Sequence, residues 1–454
     1  MTINLPRVLF AGTSSGCGKT TAVTAVLTLL KRRGIGVTAA KCGPDYIDPM
    51  FHEAVLGVPS ANLDPFFCSG NLLRSLLAEN GGELCVAEGA MGYYDGTGPD
   101  GENSAYAVAR ETGCPVVLVV NGRGASASLL AVLEGFLRYR PDSGIRGVLF
   151  SNVTAMTYAM LRKWTLARFG GEISVIGYIP RLTEDCTLGS RHLGLVTPGE
   201  VTDLSEKLER TADLAADTVD LDALLALAES APPLDFDPPE VPRFGPVRIA
   251  MARDDAFCFY YRDSLRLLER MGAELVPFSP LAGETVPEDA DGLLLGGGYP
   301  ELHAEVLERN EAVRESVRRA VTSGMPTVAE CGGFQYLGRT LAGRRMCGVL
   351  PHDSENTGWL VRFSYCTLTA KTDGLLGPAG TTLPAHEFHY YDSTENGADF
   401  RAEKASGRSW DCAVHTDTLY AGYPHLFLPA CPDAAEAFYK KCLVYKEKKF
   451  ETNL

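Results

Sequence analysis

The sequence has no excess of positive charge. Of its 454 residues, 42 are Lys or Arg and 57 are Asp or Glu, giving a net charge of −15. Sequence-independent nucleic-acid binding needs a broad positive field, as does docking to an anionic membrane surface, so the overall balance excludes both. Local basic patches stay open. There is also no CxxC pair among the 13 cysteines. A zinc ribbon or a thioredoxin-type site would require one. Most cysteines stand in apolar runs, such as Cys85 in ELCVAEG and Cys366 in FSYCTL, and read as buried reduced thiols. No apolar stretch reaches the ~20 residues of a membrane span. The first residues, MTINLPRVLFAG, show no leader with a cleavage site. The expectation is a soluble cytoplasmic protein. A composition of 45% apolar and 22% charged residues excludes general disorder.

At about 150 residues per domain, this length suits three domains or two large ones. Proline decides between them. Residues 231–246, APPLDFDPPEVPRFGP, are rich in a residue that cannot donate to a helix or sheet ladder. They read as a linker, 231–246, between an N-terminal domain, 1–230, and a C-terminal domain, 247–454. In both domains short apolar runs alternate with helical patterns. RVLFAGT (7–13), VTAAKCG (37–43), LCVAEGA (84–90), PVVLVVNG (115–122), IRGVLFSNV (145–153) and ISVIGYIP (173–180) read as strands of a parallel sheet covered on both faces. After the first strand, residues 19–33 read as a helix with Val23, Val26, Leu27 and Leu30 on one face. The fold class is α/β and doubly wound. The pattern resumes at VRIAMARD (247–254), with a helix over 260–271.

The segment Gly12-Thr-Ser-Ser-Gly-Cys-Gly-Lys-Thr20 links the first strand to the first helix. Small residues there let backbone N–H groups wrap an anion at a helix N-terminus. Lys19 would pair with the β- and γ-phosphates of a nucleotide, and the Thr20 hydroxyl would ligate Mg²⁺. Gly12, Thr13, Gly16, Gly18, Lys19, Thr20 and Thr21 are the nucleotide-binding candidates. The pattern departs from G-x-x-x-x-G-K-[ST] by one position, because Thr13 stands where the first glycine belongs. Two acidic clusters follow strand ends, KCGPDYIDP (41–49) and AEGAMGYYDG (87–96). In an open α/β sheet, ligands bind outside the carboxyl ends of the strands, so both clusters can face the phosphates. Asp45 and Glu88 are the candidate metal carboxylates, while Asp48, Asp64 and Asp95 are candidates for orienting a substrate.

In the C-terminal domain, TVAECGGF (327–334) puts Cys331 on a sharp strand-to-helix turn, followed by two glycines. Such a turn exposes a nucleophile and offers the next N–H, that of Gly332, to an oxyanion. Upstream, LLLGGGYPE (293–301) ends a strand in glycines, and Gly297 and Gly298 are further oxyanion donors. A thiol nucleophile needs a base. His352, His386, His389, His415 and His425 all follow it, and His425 lies near the end of a strand-like LYAGY. The HEFH of 386–389 has i, i+3 spacing in an extended segment, so its two rings point to opposite faces and form no zinc site.

With both sites assembled, the chain closely resembles the cobyrinate/hydrogenobyrinate amidotransferase family, essentially end to end. The carriers are GTSSGCGKTT, KCGPDYIDPMFH, NLDPFF, EGAMGYYDG, SRHLGL, ARDDAFCFYY, LLLGGGYPE, AECGGFQYL, AHEFHYYDS and GYPH. The resemblance implies a P-loop domain like that of dethiobiotin synthase joined to a class I glutamine amidotransferase domain. It implies amidation of the a and c acetate groups of a corrinoid, with ATP, Mg²⁺ and glutamine. It also implies that Cys331 is the nucleophile and His425 its base. Most class I amidotransferases carry Glu two residues after that His. Here the residue is Phe427, which leaves the group orienting His425 unidentified. Asn121 stands where the family commonly shows Asp.

The expected chemistry has two halves. Phosphorylation of a carboxylate by ATP gives an acyl phosphate that ammonia can displace. A Cys331 thioester releases that ammonia from glutamine. A flat, polyanionic tetrapyrrole calls for cationic and aromatic contacts, for which Tyr46, Tyr94, Arg191 and His192 are candidates. Nickel sirohydrochlorin and hydrogenobyrinic acid are alternative substrates. Two other readings stay open. One is a P-loop partitioning ATPase, although Ser14 occupies its signature lysine position and Cys331 would have no task. The other is an amidotransferase domain kept only for regulation. A homodimer is the expectation from base rates.

Overall fold

The computed structural model describes residues 1–183, 186 and 198–452. It divides into two compact units, Met1–Pro239 and Glu240–Leu454.

The first unit is built on seven strands: β1 (Arg7–Gly12), β2 (Val37–Cys42), β3 (Ser60–Leu63), β4 (Leu84–Glu88), β5 (Val116–Asn121), β6 (Ile145–Val153) and β7 (Ser174–Pro180). They pair in the order β3-β2-β4-β1-β5-β6-β7, all parallel. Every residue of β1, β2 and β4 is buried, as expected of strands covered on both faces. β1 lies between β4 and β5, so the chain leaves it toward one side of the sheet and later returns on the other. The loop after β1 therefore sits at the switch point where such sheets bind ligands. β3 has no counterpart in the sequence reading. Its four residues, SANL, carry no β-branched side chain, and it forms the sheet edge beside β2.

The helix Lys19–Arg32 follows the β1 loop. Val23, Val26, Leu27 and Leu30 are buried, and so are Ala22, Thr24, Ala25, Thr28 and Leu29. The helix is enclosed on nearly all sides rather than on one face.

The proline-rich stretch is largely docked rather than free. Leu234–Asp235 pairs antiparallel with Thr2–Ile3. The fully buried Arg7 guanidinium donates to the carbonyls of Thr112, Leu5 and Pro232. Asn71 and Arg74 reach the carbonyls of Asp237 and Asp235. At the other end, Phe244 donates to Met271 and Gly245 accepts from Tyr439, both within the second unit. Proline suppresses ladder formation, but side chains from elsewhere satisfy these carbonyls instead.

The second unit has three sheets among its described residues, two of which position the site. The first is formed by β8 (Val247–Ala252), β9 (Ala273–Phe278), β10 (Gly292–Leu295) and β11 (Thr327–Glu330) with two later strands. The second contains β12 (Arg362–Ala370), β13 (Thr382–His389), β14 (Phe400–Glu403) and β15 (Ser409–Cys412). β16 (Val414–His415) and β17 (Leu419–Gly422) return to the first sheet, whose order is β9-β8-β10-β11-β17-β16. β18 (His425–Leu426) completes the second, in the order β15-β14-β12-β13-β18. The chain thus crosses between sheets within the two residues, Tyr423 and Pro424, that separate β17 from β18. The helix expected over 260–271 runs Arg262–Met271. Among the described residues, no helix is long and apolar enough to cross a membrane.

Candidate active sites

In the first unit, the β1 loop is held in its wrapped form by three glycines. Gly16 and Gly18 have φ of 70° and 98°, a region that favours glycine. A Cβ on Gly12 would lie 2.4 Å from Cys17 Sγ. Ser151 on β6 donates to the Cys17 carbonyl at 2.5 Å and clamps the loop to the sheet. Thr13 N–H donates to Val119 on β5. Lys19 is buried, its ammonium folded back onto the carbonyls of Ser14 and Met91. Burial lowers its pKa, while the charges of Cys17, Glu88 and Asp95 act in the opposite sense. Thr21 continues the helix and its carbonyl accepts from Thr24.

The acidic residues gather around a lysine that the sequence reading left without a role. Lys41, at the end of β2, is buried and donates to Glu88 Oε1 at 3.0 Å. It also pairs with Asp48 and lies 3.9 Å from Asp45 Oδ2. Burial disfavours its charge, but Glu88, Asp48 and Asp45 outweigh this and raise its pKa. Thr20 donates its hydroxyl to the same Glu88 Oε1 at 2.7 Å. Glu88 Oε2 carries no hydrogen bond and lies 3.9 Å from His52 Nε2. Burial raises the carboxyl pKa of both Glu88 and Asp45. It pushes His52 down to about 4, so that ring is neutral.

Asp45 Oδ1 accepts from the N–H groups of Ile47 and Asp48, starting the helix Ile47–Ala54. Asp64 is buried and accepts from Phe66 N, and Asp95 accepts from Gly92 N. All three carboxylates thus shape turns, as Asp beside Gly or Pro often does. Tyr46 is buried at the start of the same helix. Tyr94 packs among Tyr93, Tyr106, Phe136 and Tyr139, and its hydroxyl donates to the Phe136 carbonyl. Arg191 and His192 lie outside the described residues. Beside the clamp on β6, a polar cavity of about 310 Å³ opens at the ends of β5, β6 and β7. Asn152, Thr157, Ser126 and Arg181 contribute to its lining.

In the second unit, Cys331 stands between β11 and the helix Gly332–Leu337 with φ 47° and ψ −99°. A β-carbon is strained in that region. The turn is held by Cys331 N donating to Gly422 at 2.7 Å and Gly333 N donating to Gly296 at 3.0 Å. Glycine is required at this crossing, because a Cβ on Gly333 would lie 2.0 Å from the Leu295 carbonyl oxygen. Gly298 N lies 3.3 Å from where a Cβ on Gly332 would stand, so the upstream glycine run and the elbow adjoin. A Cβ on Gly297 would meet His425 Cε1 at 2.5 Å.

Of the five downstream histidines, the structure brings one to the thiol. His425 on β18 is buried and within hydrogen-bond reach of Cys331. Burial works against its charge, but the neighbouring Cys331 and Glu330 prevail and push its pKa up to about 10. Glu330 Oε2 lies 3.4 Å from His425 Nδ1, and Glu330 Oε1 accepts from Leu426 N at 3.1 Å. The other four are engaged elsewhere. His352 packs on Phe334, and His389 stacks on Tyr423. His415 accepts from Leu376 N, and His386 pairs through its backbone with His425.

A nucleotide-type loop in one unit and a Cys–His pair in the other define the comparison with known proteins. Residues 8–196 match the model of a CobQ/CobB/MinD/ParA nucleotide binding domain. Residues 248–430 match a CobB/CobQ-like glutamine amidotransferase domain. The chain is 40% identical to a cobyrinate a,c-diamide synthase of Listeria monocytogenes, covering 92% of this chain and 96% of that one. The chain belongs to the cobyrinate a,c-diamide synthase family. A relative of that name in Salmonella typhimurium is 38% identical over 94% of this chain and 95% of its own. One in Thermoplasma volcanium is 36% identical, with 98% and 99% covered. Like the family, the chain joins a nucleotide-binding unit to a glutamine amidotransferase unit, the organisation of a glutamine-hydrolysing ligase.

Proposed function

We propose that this enzyme amidates the a and c acetate carboxylates of cobyrinic acid, taking nitrogen from glutamine and using ATP. The observation that carries the reading is the presence of both half-sites in one chain. One is the loop–Thr20–Glu88–Lys41 constellation, and the other is the Cys331–His425 pair. The relatives' shared name, matched over nearly the whole length, supports the substrate.

A carboxylate resists ammonia because it is anionic and its oxide leaves poorly. In the first unit the substrate carboxylate attacks the γ-phosphorus of ATP, giving an acyl phosphate and ADP. Ammonia then displaces phosphate and forms the amide. Lys19, released from the Ser14 and Met91 carbonyls, neutralises charge on the transferring phosphoryl group. The N–H groups of the Gly12–Thr21 loop cradle the other phosphates. The base end of the nucleotide occupies the polar cavity beside Asn152, which adjoins the loop through Ser151.

The residues present suit Mg²⁺. Thr20 Oγ1 and Glu88 are in contact, and Glu88 Oε2 is buried without a hydrogen bond. Among the described residues no cage of three or more His, Cys, Asp or Glu converges, and Mg²⁺ typically uses one or two carboxylates, with phosphates and water supplying the rest. Thr20 and Glu88 would hold the ion, which would supply positive charge to the phosphates. Asp45 and Asp48 share Lys41 with Glu88, and we assign them, with Tyr46, Asp64 and Asp95, to arranging the substrate carboxylate.

In the second unit the Cys331 thiolate attacks the glutamine carboxamide carbon. The oxyanion faces the N–H groups of Gly332 and Gly298. His425 gives its proton to the departing nitrogen, ammonia leaves, and a thioester stays. His425 then takes a proton from water, which hydrolyses the thioester to glutamate and frees the thiolate.

The test is amide formation on cobyrinic acid, hydrogenobyrinic acid and nickel sirohydrochlorin in parallel, each with ATP, Mg²⁺ and glutamine. Cobyrinic acid should give the highest kcat/KM. A preference for nickel sirohydrochlorin would replace the substrate and leave the two half-reactions standing.

A further inference from the structure

Most class I amidotransferases carry a glutamate two residues beyond the catalytic histidine. That position is Phe427 here, fully buried and packed edge-on against Tyr261. Neither its chemistry nor its surroundings can serve the imidazole. The structure offers another carboxylate. Glu330, the residue immediately before the nucleophile, ends β11 and directs its side chain toward β18. One oxygen lies 3.4 Å from His425 Nδ1, and the other accepts from the N–H of Leu426 at 3.1 Å. The second bond fixes the carboxylate against the backbone of the very strand that carries the histidine.

We propose that Glu330 is the positioning residue of the thiol–imidazole pair, holding His425 with Nδ1 protonated so that Nε2 faces Cys331. This rests on the reading of Cys331 and His425 as the glutamine-hydrolysing pair.

The geometry explains why an acid is needed from this direction. Adjacent residues of a strand normally point to opposite faces. The φ of 47° at Cys331 breaks that alternation, and the chain turns into a helix there. The thiol and the carboxylate of one dipeptide can therefore reach the same ring. The charged and titratable groups around His425 are few. Glu330 comes from β11, Cys331 from the elbow and His386 from β13. Burial depresses His386 to about 3, with help from the charges of His425 and Lys404, so it is neutral and cannot anchor an imidazolium. Gly297 approaches Cε1 without a side chain. Glu330 is thus the carboxylate in contact with the ring among the described residues. A neutral replacement removes the charge that favours the imidazolium and frees the ring to adopt the wrong tautomer.

The experiment uses the full-length enzyme and two variants, Glu330→Gln and Glu330→Asp. One measurement is glutamine hydrolysis across pH. The other is alkylation of Cys331 by iodoacetamide across pH, read by mass spectrometry on the peptide that contains it. Glu330→Gln should lower kcat for glutamine by about 10²–10⁴-fold with KM nearly unchanged. Its Cys331 should need a pH about one unit higher to react as thiolate. Glu330→Asp should recover part of both. A Glu330→Gln enzyme within about threefold of wild type, with an unshifted alkylation profile, would overturn the proposal. So would equal loss in both variants with unshifted alkylation, which marks a purely structural glutamate. A wild-type enzyme that does not hydrolyse glutamine at all would instead overturn the functional reading beneath it.

Discussion

Thr20 donates its hydroxyl to Glu88 across the switch point of the N-terminal sheet, at 2.7 Å. The loop and the end of β4 thereby meet before any ligand arrives. The same carboxylate oxygen accepts from Lys41, so replacing it disturbs a cation as well as the candidate ion site. Glu88→Gln should reduce ATP-dependent amidation by at least about 10²-fold, whether the nitrogen comes from glutamine or from ammonia. Glutamine hydrolysis in the second unit should persist. Retained amidation at high Mg²⁺ would show that Glu88 acts only on affinity for the ion.

Cys331→Ala should separate the half-reactions. Glutamine-dependent amidation should vanish, and amidation with a high concentration of ammonium salt at alkaline pH should continue. Product analysis with each nitrogen donor measures both. Equal loss with either donor contradicts the two-site mechanism.

Gly297 meets the ring of His425. A methyl group there would stand 2.5 Å from Cε1, and the ring must move to admit it. Gly297→Ala should lower glutamine hydrolysis at least tenfold, because misplaced catalytic groups are costly. The melting temperature should change little, since the obstructing atom belongs to a side chain. A large thermal shift would mean that the backbone, not the ring, gives way.

His425 also carries a pH signature. Its pKa is pushed up to about 10 from an ordinary value near 6.5. A raised folded-state pKa contributes stability that is fully present below about 6.5 and is lost as pH rises through about 10. Between pH 7 and pH 10 the wild type should lose more thermal stability than His425→Asn. Glutamine hydrolysis should fall on an alkaline limb near the same pH. Parallel melting curves for the two proteins would refute the assignment.

Arg7 ties the stretch after residue 231 to the N-terminal unit through the Pro232 carbonyl, while also satisfying Leu5 and Thr112. Arg7→Met removes three charge-assisted bonds and leaves buried carbonyls unpaired. A loss of about 2–4 kcal/mol is expected, read by denaturant unfolding of the N-terminal transition.

The sequence by itself determined whatever depends on local spacing. Continuous apolar strands followed by helical patterns specify a doubly wound sheet. The run from Gly12 to Thr20 specifies an anion loop, because glycine, lysine and threonine must stand at fixed offsets to wrap a phosphate. Glycines after Cys331 specify an elbow, because only a residue without Cβ fits under Leu295. The strand Ser60–Leu63 escaped because its residues carry no strand signal and tertiary pairing alone holds it. Tertiary structure decided which distant groups meet. It brought His425, which the family resemblance had named, to Cys331, brought Lys41 among Asp45, Asp48 and Glu88, and gave Tyr94 to an aromatic cluster. It turned a proline-rich stretch into a docked segment through carbonyls satisfied from residues more than a hundred positions away. It also placed Glu330 beside His425. Two residues 95 positions apart in the sequence acquire a relationship only when folding brings the end of β11 to β18 in the neighbouring sheet, and no local pattern encodes that distance.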